Sequence, residues 1–171
     1  MRALGAALLI CLLAAPAAAQ SQARWNPAAP ENRQVLPTFN YTTVEGVLTA
    51  IGASSERRGS AERPALAVTF SNGRRAAIIF GSCERAGTAC RAISIQSSWN
   101  RPANIPVERL AANVQQFSLR YAFSRAFLTQ DGRPSLQRYL TADYGFIRGN
   151  LAVNLLVFAS QADRFAAEVL R

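Results

Sequence analysis

The segment from Arg120 to Thr141 constrains the fold more than any other part of the chain. It reads RYAFSRAFLTQDGRPSLQRYLT, in which two runs of alternating residues flank the turn signal QDG. Alternation on both sides of a glycine-containing turn is typical of a β-hairpin. Both runs are long enough to form strands at the centre of a sheet, so we predict a hairpin around which the rest of the domain is built.

The turn residues distinguish two registers for this hairpin. A type I turn at QD, with the following glycine left-handed in a bulge, pairs Thr129 with Arg133. A two-residue DG loop would instead set Arg125 directly opposite Arg138, and like charges opposed across strands are destabilising. We therefore predict the first register.

The predicted register divides the hairpin into two faces. The small and aliphatic face, suited to close packing of helices, consists of Ala122, Ala126, Leu128, Leu136 and Leu140. The opposite face consists of Tyr121, Phe123, Arg125, Phe127 and Tyr139. Aromatic residues and arginine are enriched in interface hot spots, so we expect this second face to be the contact surface for a protein partner or a second copy. In the other register the aromatics would fill the core.

Residues 1–19 have the pattern of a secretory signal peptide. One arginine precedes an apolar run from Ala3 to Leu13, and small residues ending at Ala19 satisfy the A-x-A cleavage rule. We predict cleavage after Ala19 and a periplasmic or secreted protein.

The remaining sequence predicts no membrane span. The longest later apolar run, Leu151 to Ala159, is interrupted by Asn154 and is too short to cross a bilayer. A lipid anchor on Cys11 is disfavoured because Ile10 precedes the cysteine, where a small residue is expected.

The chain is strongly basic, with a formal net charge of +9, and contains no lysine. Arginine-rich coding in a GC-rich genome explains that usage better than selection for phosphate or carboxylate contacts. An exported basic protein would still be drawn to anionic envelope surfaces or acidic partners. Nucleic acid is not expected as a partner, because the protein is predicted outside the cytoplasm and has no nucleic-acid-binding motif.

Residues 20–37 contain three prolines and little periodicity, so we predict a flexible linker followed by a single domain, 38–171. In that domain Thr42 or Thr43 is expected to cap a first helix that ends at Gly52. The polar residues 53–63 are expected to form a loop.

The rest of the domain alternates between strand and helix patterns. Three strands are predicted at Leu66 to Phe70, Ala76 to Phe80 and Ala92 to Gln96. A second helix follows Pro106, then the hairpin, and then a long amphipathic helix from Leu151 to the end. These elements predict an α+β fold with two layers: an antiparallel sheet of about five strands and three helices packed on one face, in the order helix, three strands, helix, two strands, helix.

Cys83 and Cys90 flank a glycine-containing loop between two predicted strands, and we expect a disulfide across the strand ends. Zinc needs about four ligands, and the chain has no histidine. The alternative with a chemical function is a redox-active cysteine pair, but the C-x-x-C spacing typical of such pairs is absent. We predict a structural bond and no metal or other cofactor.

Catalysis is not predicted, because the chain lacks histidine and its ten carboxylates are scattered. A hydrolase of unrecognised type stays an alternative. A purely structural or envelope-stress protein that acts as a homodimer is another.

The order FGSCERAGTACRAISIQ, a helix, RYAFSRAFLTQDGRPSLQRYLTADYG and an apolar helix resembles the YbjN family, whose members are described as bacterial sensory transduction regulators. The similarity covers roughly Thr42 to Leu170. The family's Trp-Asn pair before the hairpin is missing here, so no role of that pair is carried over. Secreted members have a cysteine pair in the preceding hairpin, which Cys83 and Cys90 match.

The resemblance implies a type III secretion chaperone-like fold, with helices on one side of a curved antiparallel sheet. Such folds are associated with holding protein partners, often as dimers, and not with catalysis. The resemblance therefore favours an exported, non-enzymatic binding module, with a role in envelope sensing or regulation.

Overall fold

The computed structural model describes residues 25–171, so the predicted leader and the first residues of the predicted linker lie outside the described residues. In the described part the chain forms a short 3-10 helix, Pro30–Arg33, and three α-helices: Tyr41–Ala50 (α1), Val107–Arg120 (α2) and Arg148–Val169 (α3). The strands are Val35–Leu36 (β1), Ser54–Gly59 (β2), Pro64–Thr69 (β3), Arg75–Arg85 (β4), Thr88–Ser98 (β5), Arg125–Leu128 (β6), Pro134–Thr141 (β7) and Phe146–Ile147 (β8).

Six of these strands form one antiparallel sheet in the order β2-β3-β4-β5-β7-β6, and β1 pairs with β8 in a separate two-stranded sheet. Alternate residues of the large sheet point to one side and are buried against the helices; they include Leu66, Ile78, Ile93, Ile95, Leu136 and Leu140. The helices contribute apolar residues to the same core, among them Val47, Leu48, Leu110, Phe117, Leu155 and Phe165. The predicted α+β class, with helices on one face, is confirmed.

The N-cap of helix α1 lies two or three residues before the threonines that were expected to cap it. Asn40 is the N-cap: its side chain accepts a hydrogen bond from the backbone N–H of Thr43, and the Thr43 hydroxyl lies within reach of the Asn40 N–H. This is a capping box in which threonine takes the N3 position. The helix ends at Ala50 with Ile51 as its C-cap, and the glycine predicted to terminate it, Gly52, follows with a positive φ of 76°.

The predicted loop 53–63 contains a strand, so the sheet has six strands where about five were expected. Strand β2 pairs with β3 along its whole length, and all six of its residues are exposed. This edge strand is held by its backbone hydrogen bonds to β3 and by the ion pair of Arg57 with Glu45 of α1, so its sequence carries no apolar alternation.

The hairpin of β6 and β7 has the predicted register. The Thr129 N–H donates to the Arg133 carbonyl, and Ala126 pairs with Leu136. Gly132 is left-handed with φ 75°. The pairing of Arg125 with Gln137 keeps it away from the position opposite Arg138.

The described part of the predicted linker is packed on the domain. The side chain of Asn32 is buried and accepts a hydrogen bond from Arg148 at 3.1 Å, and Trp25 lies against the core. The proline-rich composition did not reveal the contact of Asn32, which depends on α3 at the other end of the chain.

Cys83 and Cys90 face each other across β4 and β5 and are joined by a disulfide. The loop that they close packs against the start of α1, where the Tyr41 N–H donates to the Gly87 carbonyl. The bond therefore lies at a junction of the sheet and a helix. Among residues 25–171, no helix is both long enough and apolar enough to cross a membrane.

Candidate functional site

The side of the large sheet that points away from the helices is termed the open face. It is organised in three rows of side chains that cross the strands. The middle row reads Glu56, Ala67, Ala77, Gln96, Gln137 and Arg125. The row on one side of it reads Arg58, Ala65, Ile79, Ser94 and Tyr139. The row on the other side reads Ser54, Thr69 and Arg75 on the first three strands, and Ser98, Ser135 and Phe127 on the last three. The register of β4 and β5, in which Ala77 pairs with Gln96, sets Arg75 opposite Ser98.

The centre of the open face carries no charge. The side chains on β3 and β4 in one half are small apart from Ile79 and the terminal Arg75, and polar or aromatic side chains on β5, β7 and β6 occupy the other half. Charged residues stand at the edge strands, where Glu56 and Arg58 pair at 2.7 Å with each other on β2, and at the first residue of β4. The open face is therefore neutral at its centre and charged at its rim.

Hydrogen bonds between side chains connect polar residues of β5 and β7 on the open face. The Ser94 hydroxyl oxygen accepts from the amide groups of Gln96 and Gln137 at 2.9 and 2.8 Å. The hydroxyls of Ser98 and Ser135 are 2.8 Å apart. One amide N–H of each glutamine and the hydroxyls of Ser98 and Ser135 therefore already have partners when another molecule approaches.

Three of the five predicted contact residues lie on the open face. Tyr139 is 60% exposed, and Arg125 is exposed with its Cζ 4.9 Å from the centre of the Phe127 ring. Arg125 and Phe127 lie on the edge strand β6, and Tyr139 lies on the neighbouring strand β7. The structure thus brings these three side chains together at one border of the face.

The expectation that Tyr121 shares this face is wrong. Helix α2 extends to Arg120, so Tyr121 is its C-cap, and the strand begins only at Arg125. The Tyr121 ring packs 4.5 Å from that of Phe117, and its hydroxyl donates to Glu168 of α3 at 2.7 Å. Tyr121 therefore belongs to the helical layer.

Phe123 is also absent from the open face, because it lies in the turn between α2 and β6. Its ring is 4.0 Å from the Cζ of Arg138, and its carbonyl accepts a hydrogen bond from the same guanidinium. Arg138 alternates with Leu136 and Leu140 and points to the helix side, where its Nε donates to Asn154. Ala122 lies in this turn as well and is exposed, whereas Ala126, Leu136 and Leu140 are buried as predicted.

Sequence reasoning missed the small half of the open face. Ala65, Ala67 and Ala77 alternate with the buried residues Leu66, Val68 and Ile78, which is the signal that assigns them to the opposite side. Glu56 was missed because β2 was expected to be a loop.

Ionisable groups with shifted pKa values are stabilised by local partners. Arg57 donates two hydrogen bonds of 2.8 Å to Glu45 and holds the pKa of that carboxyl below its ordinary value. The hydroxyls of Ser60 and Thr129 lower the pKa values of Glu62 and Asp131 in the same way. A groove of about 680 Å³ between the end of α1 and strands β2 and β3 has no ionisable side chain in its lining. No group of three or more metal-ligating residues occurs within 25–171.

Comparison with known families gives one match. Residues 40–171 match the model of the YbjN family, described as "Putative bacterial sensory transduction regulator". A comparison with curated proteins finds no match. The matched region begins at the N-cap of α1 and includes the whole six-stranded sheet and all three α-helices. The chain therefore belongs to the YbjN family.

Proposed function

We propose that this protein is an exported, non-enzymatic binding module that holds a protein partner, either another protein or its own second copy, on the open face of its sheet. The observation that carries the proposal is the open face itself. Three helices bury one side of a six-stranded sheet, while in residues 25–171 Tyr139 and the small side chains opposite the core stand partly or fully exposed.

The composition of the open face supports binding over simple solvation. An antiparallel sheet that only faces water normally carries polar and charged residues on its outer side. Here the central positions are occupied by residues such as Ala67, Ala77 and Ile79, and the flank by Phe127 and Tyr139. Loss of charge at the centre, with aromatic residues and arginine nearby, is the composition of a protein interface.

The assignment as non-enzymatic is supported by the surroundings of the ionisable groups. Glu45, Glu62 and Asp131 are each hydrogen-bonded by a nearby side chain and lie at separate places on the surface. A general acid or base would instead be desolvated in a cleft or paired with a second reactive group.

Export is supported by the leader pattern and by the disulfide, since such bonds persist in oxidising compartments. The intact mass of the protein recovered from exporting cells tests this part. A mature start at Gln20 is expected, and a start at Met1 or a lipid on Cys11 would contradict it. The excess of arginine favours acidic partners or anionic envelope surfaces.

A photocrosslinking side chain can be placed on either layer to test the binding face. We expect adducts when the crosslinker replaces Tyr139 on the open face. No adducts are expected when it replaces Leu119, an 80% exposed residue on α2. The mass of the adduct distinguishes a second copy from another protein. Failure to form adducts at Tyr139 in exporting cells would contradict the proposal.

A further inference from the structure

The two halves of the open face are complementary in size. On β3 the side chains are Ala65 and Ala67, whereas the positions in the same rows on β7 are Tyr139 and Gln137. The two central strands also pair a large side chain with a small one in each of these rows: Ala77 of β4 pairs with Gln96 of β5, and Ile79 of β4 pairs with Ser94 of β5. Such a surface can pack against a second copy whose strand order is reversed, because the large side chains of each copy then lie over small side chains of the other.

We propose that two copies of this chain pack open face to open face about a twofold axis that runs parallel to the strands, between β4 and β5. The proposal rests on the open face being the binding surface, as argued above. This axis reverses the strand order, so β3 of one copy lies over β7 of the other. Ala67 then meets the second copy's Gln137, and Ala65 meets its Tyr139, so that these large side chains lie over small ones.

The charges at the rim agree with this arrangement. Glu56 and Arg125 stand at opposite ends of the middle row, on the two edge strands. Reversal of the strand order brings Glu56 of each copy over Arg125 of the other, which forms two equivalent ion pairs. A twofold axis perpendicular to the strands would instead oppose each of these residues with its own copy, and like charges at an interface are unfavourable.

The size of the open face is adequate for a stable pair. Six strands spaced about 4.8 Å apart, crossed by three rows spaced about 7 Å apart, span roughly 29 by 21 Å. The resulting area of about 610 Å² per copy lies at the lower end of the range for standard protein interfaces, about 600 to 1,000 Å² per partner. Sheets that pack face to face with nearly aligned strands are a common arrangement.

Arg75 opposes the association. It lies next to the proposed axis at the first residue of β4, so the two copies of Arg75 approach each other. Its position at the end of the strand lets both guanidinium groups extend past the sheet, which reduces the repulsion. Replacement by a neutral residue should therefore strengthen the pair.

Sedimentation of the purified protein over a concentration series tests the arrangement by charge reversal. We expect a reversible dimer that Glu56→Arg or Arg125→Glu weakens about tenfold, because each reversal places like charges together at two sites. The double variant Glu56→Arg with Arg125→Glu should restore the dimer. Arg75→Gln should tighten it, and Arg109→Glu, an exposed control on α2, should leave it unchanged.

The outcomes separate this proposal from the broader one. A dimer that Glu56→Arg weakens and Arg125→Glu does not would place the interface at the free edge of β2 and overturn the proposal. A double variant that stays as weak as the single variants would also overturn it. A protein that is monomeric at about 100 µM, with Tyr139 crosslinking only to other proteins, would refute the self-pairing and leave the open face as a binding surface.

Discussion

Phe39 and Cys90 exchange two backbone hydrogen bonds, from the Phe39 N–H to the Cys90 carbonyl at 2.8 Å and from the Cys90 N–H to the Phe39 carbonyl at 2.9 Å. Cys90 is bonded to Cys83 on its other side. The residue before the cap of α1 is thus tied to a strand that is itself crosslinked to its neighbour. The disulfide therefore affects the start of the helix as well as the hairpin that contains it.

Replacement of both cysteines, Cys83→Ser with Cys90→Ser, should lower the free energy of unfolding by about 2 to 3 kcal/mol, because the unfolded chain is no longer restricted by a closed loop. Denaturant titration measures the change, and hydrogen exchange at Phe39 and Tyr41 should become faster. Crosslinking at Tyr139 should persist below the unfolding transition. Complete alkylation of both thiols in the native protein without reductant would show that no bond exists.

Gly87→Ala should destabilise the protein more than Gly132→Ala. Both glycines have positive φ, 67° and 75°, so both substitutions impose backbone strain of about 1 kcal/mol. A Cβ at Gly132 meets open space, but one at Gly87 meets the ring of Tyr41. The ring would have to leave its packing against Phe80, at a further cost of about 1 to 3 kcal/mol.

Thermal unfolding compares the two variants. The background Tyr41→Ala provides the control, because it removes the ring and should reduce the effect of Gly87→Ala to that of Gly132→Ala. Equal effects of the two glycine substitutions in the wild-type background would contradict this account.

Phe165→Ala should cost about 3 to 5 kcal/mol, because it leaves a cavity at the centre of the helical layer. Phe165 is fully buried, and its ring lies 4.7 Å from that of Trp99 and 5.0 Å from that of Phe117. The exposed residue Leu119 gives the control, and Leu119→Ala should change stability by less than about 0.5 kcal/mol. A cost below about 1 kcal/mol for Phe165→Ala would be inconsistent with this packing.

The ion pair between Glu45 and Arg57 should make a small, pH-dependent contribution to stability. Because Arg57 lowers the pKa of Glu45 in the folded state, the stabilisation is present above the ordinary glutamate pKa of about 4.3 and is lost as pH falls through the lowered value. Glu45→Gln should cost about 0.5 kcal/mol at pH 7, and the difference from wild type should shrink towards pH 3.

Urea titrations of both proteins across this pH range measure the difference. Glu108→Gln, at an exposed site with no salt bridge among the described residues, is the matched control. A difference between wild type and Glu45→Gln that grows on acidification would contradict the assignment.

The hairpin register followed from the sequence because local chemistry determined it. Gly132 allows the left-handed bulge, and the alternative loop would have opposed Arg125 and Arg138. The class of the fold followed from the alternation of buried residues in β3, β4, β5 and β7. These features depend on short-range periodicity, which a single sequence contains.

The parts that were missed depend on contacts that periodicity does not record. Phe117 and Tyr121 are four residues apart and lie on one helical face. Because Tyr121 also fits the alternating pattern of a strand, the sequence did not show where α2 ends. Strand β2 has no buried face and is recognised only by its pairing with β3. The small half of the candidate site was overlooked because alanine contributes little to either signal.

The hydrogen bond from the Ser118 hydroxyl to the Ala126 carbonyl, at 3.1 Å, has a consequence for polymer growth. Along an antiparallel strand, successive residues alternate between bonding to the partner strand and pointing their N–H and C=O groups away from it. Thr129 bonds to Arg133, directly before β7, so Ala126, three residues earlier, points its carbonyl away from β7 at the outer edge of the sheet. Among residues 25–171, helix α2 therefore covers the β6 edge of the six-stranded sheet at this point, whereas the charged edge at β2 is open to another chain. A fibre needs two open edges per molecule, whereas a molecule with one can add a single neighbour and then stops.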